Sequence, residues 1–482
     1  MTNALFWAHF IPPMSLMTST LYRHYTKGPP AKSWSLPTEL TITFIRDLLY
    51  RSSKITVEDL QRLSTNKSTP IPSSIHSRRF KVPNSYRAQA GKILSNTLSP
   101  LEKYQIGWDW QHQRDNTELR GEWLQEKGNP LDLRKENTLL YLHGGAYYIG
   151  CYGIYRQFLS RFINHSKGRT CAIDYRLAPQ HPFPAAVEDA LATYLYLIDP
   201  PRSEPSSPID PNKIVVAGDS AGGGLAFALL LAIRDGQLPL PAGGMTLSAW
   251  LDLTHSFPSI MSNIMTDYLP PVGFRHAPSP ALDYDTLPIL KSSLLPKDQT
   301  LDTFGDDLYR LQFYAPNRAL KIPMVSPVFD KRHLRGLPRL LMQCGGSERL
   351  YDESIYGALL ASNQYTISTE EKPTQVRLET YADQPHVFQL LFPNKSTLCA
   401  IKNLSRFFCE VTESSSAVQK EDLEVFNTLP NGKTTQAKDA LLNQVNRDTF
   451  YEWSDLLQRP SMKARMDQVE AAYQKIIEQL EQ

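Results

Sequence analysis

From about residue 104 the chain moves between two kinds of hydrophobic pattern. YQIGWDWQHQ (104–113) and LRGEWLQEK (119–127) alternate apolar and polar residues, as half-exposed antiparallel strands do. TLLYL (138–142) is apolar throughout, which suits a strand covered on both faces. Helical spacing in IYRQFLSRFINHS, in AAVEDALATYLYLI and in the segment after Ser220 then alternates with the short apolar runs TCAID, KIVVAG, GMTLSAW, RLLMQCGG and VRLETYA. This order predicts an α/β fold whose sheet is mostly parallel but begins with antiparallel N-terminal strands.

Two regions break the alternation. Residues 1–103 hold one amphipathic helix, with Leu40, Phe44, Leu48 and Leu49 on its apolar face, followed by a Ser/Thr/Pro-rich stretch at 64–74. Residues 254–322 are Pro-rich and irregular between two core strands. Ligands of open α/β sheets bind beyond the carboxyl ends of the strands, so both regions are expected to form a helical cap there. The catalytic domain is then 104–412. Residues 413–482 are polar and predicted to form a helical extension, with Met466, Val469, Tyr473, Ile476 and Leu480 at helical spacing. The opening MTNALFWAHFIPPMSLMTSTLYRHY is apolar and aromatic, but His9, Pro12 and Pro13 interrupt it short of the roughly 20 residues a spanning helix needs. It is expected to cover the pocket or to lie on a membrane surface such as that of the endoplasmic reticulum. No pattern in the chain speaks to oligomeric state.

Charge and cysteine content narrow the partners. With 51 basic against 49 acidic residues the net charge is only +2, so no nucleic-acid footprint is expected and a small neutral molecule is the natural partner. The five cysteines (Cys151, Cys171, Cys344, Cys399, Cys409) show no C-x-x-C spacing, which points to core thiols rather than a disulfide framework or a zinc site.

The chemistry gathers at four strand ends. Gly218-Asp219-Ser220-Ala221-Gly222 fits G-x-S-x-G between a strand and a helix, the setting in which a serine is held up as a nucleophile. Neither G-x-G-x-x-G nor a Walker Gly-Lys-Ser/Thr is present, and no lysine lies between Gly218 and Arg234, so this turn is not a phosphate cradle and no cofactor or metal is expected. His143-Gly144-Gly145-Ala146 leaves the strand TLLYL. The amides of Gly144 and Gly145, with that of Ala221, are expected to form an oxyanion hole. A serine nucleophile needs a base and the base an orienting acid. Glu348 follows the strand RLLMQCGG, with Asp352 and Glu353 as alternative acids, and His386, which follows VRLETYA, is the only histidine after them.

HGGAY, DYRLAPQHPFPAAVEDA, VVAGDSAGG, LSAWLDLT, GGSERLYDE and PHVF, in this order over roughly residues 138–410, resemble the hormone-sensitive-lipase-like branch of the α/β-hydrolases. That branch includes arylacetamide deacetylase and fungal steryl acetyl hydrolase. The resemblance implies an α/β-hydrolase fold and a carboxylic-ester hydrolase acting on short-acyl esters of hydrophobic alcohols such as sterols. It implies Ser220 as nucleophile, His386 as base, Glu348 as acid, and Gly144, Gly145 and Ala221 as oxyanion donors, with Asp174, Arg176 and Pro179 in a segment supporting the oxyanion loop. Two positions depart from the family pattern: Glu348 where Asp is common, and Ala146 at the third position of H-G-G-G. Amide cleavage would use the same residues. A receptor on this scaffold, as in the plant gibberellin receptors, would lack the triad histidine that is present here.

Overall fold

A computed structural model describes residues 12–65, 68–111, 117–128, 137–202, 207–271, 273–282, 312–365, 371–413, 421–458 and 465–475 apart from 466 and 473. Ten strands form one sheet in the order β1-β2-β4-β3-β5-β6-β7-β8-β9-β10. They are β1 (Ile75–Val82), β2 (Leu119–Glu126), β3 (Thr138–Leu142), β4 (Arg169–Asp174), β5 (Ile214–Asp219), β6 (Gly243–Leu247), β7 (Leu340–Gly345), β8 (Val376–Tyr381), β9 (Leu423–Thr428) and β10 (Thr434–Gln436). β2 pairs antiparallel with β1 and β4, and β9 with β10; the pairings between them are parallel. This is the predicted α/β-hydrolase sheet.

The continuous apolar runs are explained by cover on both faces. Leu140 and Leu142 of β3, and Val216 of β5, enter a core shared with the helices Ala185–Ile198 and Ala221–Asp235. Their neighbours Leu139, Tyr141, Val215 and Ala217 point the other way, against Phe158 and Phe162 of the helix Arg156–Ser166 and Phe407 and Phe408 of the helix Lys395–Glu413. Because successive strand residues alternate faces, neither face can spare apolar side chains.

Three expectations need correction. YQIGWDWQHQ is not a strand: a capping box between Ser99 and Glu102, with Pro100 in the first turn, starts a helix that runs through Ile106 and stops at Gly107 in the left-handed region (φ 77°). The sheet instead begins at IHSRRFKV (75–82), inside the stretch expected to be cap. This edge strand carries Arg78, Arg79 and Lys81, which obscure its alternation and are the kind of charge that protects an edge. The C-terminal extension is not solely helical either, since β9 and β10 complete the sheet before the helices Lys438–Gln444 and Arg447–Leu457. Of the five apolar residues spaced along the last helix, Val469 is buried and the other four lie outside the described residues.

The N-terminal region meets the inserted segment and the loop after β3. Arg46, on the helix Leu36–Arg51, donates to the carbonyls of Met265 and Asp267 in the inserted segment. Gln61, on the helix Val57–Thr65, donates to the carbonyls of Tyr148 and Ala178 beside the oxyanion loop. Residues 1–11 of the opening apolar stretch lie outside the described residues; the rest enters the helix Met14–Thr26, and among the described residues no helix is long and apolar enough to cross a membrane.

Candidate active site

Ser220 stands at the turn from β5 into the helix Ala221–Asp235, at φ 52° and ψ −122°, a strained conformation for a residue with a β-carbon. Its amide donates to the Leu247 carbonyl, and its own carbonyl accepts from Gly224 and Trp250, so the strain is held by bonds on both sides. The flanking glycines are required by close approach. A β-carbon on Gly218 would lie 2.2 Å from the Gly222 carbonyl oxygen, and one on Gly222 would lie 2.1 Å from that of Leu142.

The histidine that follows β8 reaches this serine: His386 Nε2 lies 2.8 Å from Ser220 Oγ. Burial draws its imidazole down to about 3, which keeps it neutral and able to accept a proton. Glu348 is the acid that faces it, its Oε2 4.0 Å from His386 Nδ1. At that distance the contact is electrostatic rather than a hydrogen bond. The alternatives are occupied elsewhere: Asp352 accepts from the Ser259 amide, and Glu353 from the amides of Leu251 and Asp252. Burial pushes the Glu348 carboxyl well above its usual range, and bonds from Ser248 and the Gly345 amide oppose that shift.

Ser248 is a member of the site that sequence reasoning missed. It follows β6 in the left-handed region (φ 50°). Its hydroxyl donates to Glu348 Oε2 at 2.5 Å and accepts from the Val387 amide at 3.0 Å, so one side chain ties the acid loop to the histidine loop. The only sequence signal is a serine just past a parallel strand. Removing it leaves a buried carboxylate short of one donor, so Ser248→Ala is expected to lower kcat about tenfold, the worth of one buried hydrogen bond, with KM unchanged. Steady-state kinetics check this; a change in KM alone would place Ser248 in substrate binding instead.

Asp267, from the cap insertion, is a second such residue. Its carboxylate accepts from the amides of Arg349 and Tyr268 at 2.7 Å each and from the backbone of His386. The cap therefore grips the residue after the acid and the base itself. Trp34 adds a bond from the N-terminal region, its Nε1 donating to the Asp383 carbonyl at 2.6 Å on the same histidine loop.

The oxyanion loop corrects one prediction. The Gly144 amide donates to Asp219 Oδ1 at 2.9 Å and to the Tyr155 hydroxyl at 3.0 Å, so it is already committed and is not an oxyanion donor. Asp219, the residue before the serine, reaches across to the end of β3, a contact that a run of glycines in the sequence does not reveal. Its carboxyl is lifted to about 6 by burial, against the pull of the Tyr141 and Tyr155 hydroxyls. Gly145 and Ala146 follow at φ 113° and 51°, and among the described residues neither amide has an acceptor. They and Ala221, at the first turn of its helix, are the amides free to meet a developing negative charge.

The segment around Asp174, Arg176 and Pro179 supports this loop. Asp174 accepts from the Tyr152 amide at 2.7 Å, and Ala178 donates to the Tyr147 carbonyl at 2.9 Å. Arg176 is fixed by a buried pairing with Glu188 and Asp189.

Beside Ser220 lies a narrow cavity, open at its mouth, lined by Ala146, Trp250, Ile260, Leu269, Phe274 and Leu350 among others. A serine on a strand–helix elbow, a histidine and a carboxylate from the next strand ends, and a capped apolar cavity define an α/β-hydrolase. The model of the α/β-hydrolase fold matches residues 139–277. An acetyl-hydrolase of Streptomyces hygroscopicus is 35% identical over 218 residues, 45% of this chain and 59% of that protein. The esterase LipU of Mycobacterium tuberculosis is 30% identical over 259 residues, 52% of this chain and 70% of that protein. The crystal structure of EstE5 soaked with p-nitrophenyl butyrate superposes with a TM-score of 0.53 at 24% identity, covering 77% of this chain and 99% of that one, and shows the same fold. The chain belongs to the hormone-sensitive-lipase-like branch of the α/β-hydrolase family. It spans less than two thirds of the length of the acetyl-hydrolase.

Proposed function

We propose that this chain is a cofactor-independent carboxylic-ester hydrolase that acts through an acyl-enzyme on Ser220. The observation that carries the reading is the 2.8 Å contact between Ser220 Oγ and His386 Nε2 on a strained elbow beside the apolar cavity. His386 Nε2 takes the serine proton as Oγ attacks the ester carbonyl, Glu348 steadies the imidazolium, and the amides of Gly145, Ala146 and Ala221 receive the oxyanion. Collapse of this intermediate expels the alcohol, which takes the proton from His386. Water, deprotonated by the same histidine, then releases the acid. Each oxyanion amide contributes about 10²-fold to 10³-fold in rate.

Short acyl groups on a hydrophobic alcohol, acetylated sterols among them, are the substrates this reading favours. Support comes from the apolar lining, from the Ala146 methyl group that narrows the site beside Ser220, and from the likeness to an acetyl-hydrolase. A fluorophosphonate probe is expected to label Ser220. In a p-nitrophenyl ester series from acetate to decanoate, kcat/KM is expected to peak at the short end and to exceed turnover of an acetanilide. Absence of a Ser220 adduct on folded protein would overturn the hydrolase reading, and a preference for decanoate would overturn the short-acyl one.

A further inference from the structure

The apolar cavity contains two charged or polar side chains that nothing in the reaction uses, Arg349 and His255, and only His255 is without a hydrogen-bond partner among the described residues. His255, in the loop after β6, lines the cavity with Ser220 and is 7% exposed, yet neither of its ring nitrogens has a hydrogen-bond partner among the described residues. The loop is constructed to hold it. Asp252 accepts from the amides of Thr254 at 2.9 Å and Ser256 at 2.6 Å, on either side of His255, and from the Thr254 hydroxyl. His255 itself sits at φ 52°, a left-handed conformation that histidine tolerates better than most residues, with its ring 5.6 Å from that of Trp250. Burial first, then the nearby Arg349 and Arg465, draws the imidazole down to about 3, so it is neutral and offers one N–H donor and one acceptor.

Buried polar atoms are nearly always paired, and an unpaired couple in an apolar cavity beside the nucleophile calls for a partner brought by the ligand. The lining also limits the charge that partner can carry. Arg349, the cation in the wall, is spent on the carbonyls of Ile260, Leu269, Pro270 and Pro271. A carboxylate or phosphate would have to compete with those carbonyls for the guanidinium, and Arg465, the other nearby cation, donates to the Ser256 carbonyl and to Gln468.

We infer that His255 is a specificity-determining residue whose imidazole hydrogen-bonds an uncharged oxygen, a hydroxyl or carbonyl, on the substrate group that enters the cavity. The preferred substrates are then oxygenated esters rather than purely hydrocarbon ones. This rests on the ester-hydrolase reading and adds the substrate class to it.

Two ester pairs test it: p-nitrophenyl butyrate against p-nitrophenyl 3-hydroxybutyrate for an oxygen on the acyl side, and hexyl acetate against the monoacetate of hexanediol for one on the alcohol side. The wild type is expected to prefer the hydroxylated member of one pair by about tenfold in kcat/KM, the value of one buried hydrogen bond. His255→Phe is expected to abolish or reverse that preference. His255→Asn, which keeps a donor, an acceptor and tolerance of positive φ, should retain part of it and guards against loss of fold in the first variant. The same ratio in wild type and His255→Phe for both pairs would overturn the inference. Failure of the hydrolase reading reads out separately, as no turnover of any of these esters. Affinities of the same pairs for Ser220→Ala, with and without His255→Phe, then decide the inference, and equal ratios would again overturn it.

Discussion

Ser220→Ala is expected to lower kcat on p-nitrophenyl butyrate by about 10⁶-fold, His386→Ala by a similar factor, and the double replacement by no more than either. The reason is the single 2.8 Å contact between them. A serine hydroxyl at neutral pH is a weak nucleophile, so without the imidazole it adds little, and without the serine the imidazole has no proton to take. The two side chains act as one device. Alanine at position 220 brings the same β-carbon to the φ of 52°, so thermal unfolding should be nearly unchanged and the loss can be assigned to chemistry. Residual turnover should remain above that in water, because the amides of Gly145, Ala146 and Ala221 can still stabilise a tetrahedral oxyanion formed by water attack. Losses that multiply in the double variant would show that the two residues act independently and would sink the proposed mechanism.

What the sequence made legible follows from how local each signal is. The runs TLLYL, KIVVAG and RLLMQCGG are read correctly as central strands because burial on both faces selects a nearly continuous apolar run, the buried Gln343 being bonded to Glu379 and Tyr381. The edge strands Ile75–Val82 and Thr434–Gln436 escape notice because an edge tolerates charge and polarity, which erases the pattern. In the site, Ser220 and His386 are legible from the turn chemistry at 218–222 and from chain order, and the structure brings them together. Ser248, Asp267 and His255 are not, since each matters through a partner roughly a hundred residues away or through a missing one. Gly144 shows the same limit from the other side. Two glycines in a row announce a loop that can present amides, but which amide is free depends on Asp219 folding back onto the end of β3.

Glu348→Gln tests the least local part of the site and is expected to cost about 10²-fold in kcat, the worth of a charged partner, with little change in KM. Ser248 Oγ and the Gly345 amide both donate into Oε2, so a glutamine must keep its carbonyl oxygen in that position. Its NH2 group then replaces Oε1, which has no partner among the described residues, and the atom facing His386 Nδ1 stays an oxygen but loses its negative charge. The imidazolium that forms when His386 takes the serine proton is then left without the buried charge that steadies it. The 4.0 Å spacing in the free chain does not weaken this expectation, because such contacts commonly tighten when substrate is bound. Fluorophosphonate labelling of Ser220 should slow in parallel with kcat, since it needs the same proton transfer. Glu348→Asp, which keeps the charge, should lose much less. A loss below about tenfold in Glu348→Gln would instead assign the acid's role to Asp267, the buried carboxylate of the cap insertion that accepts from the His386 backbone.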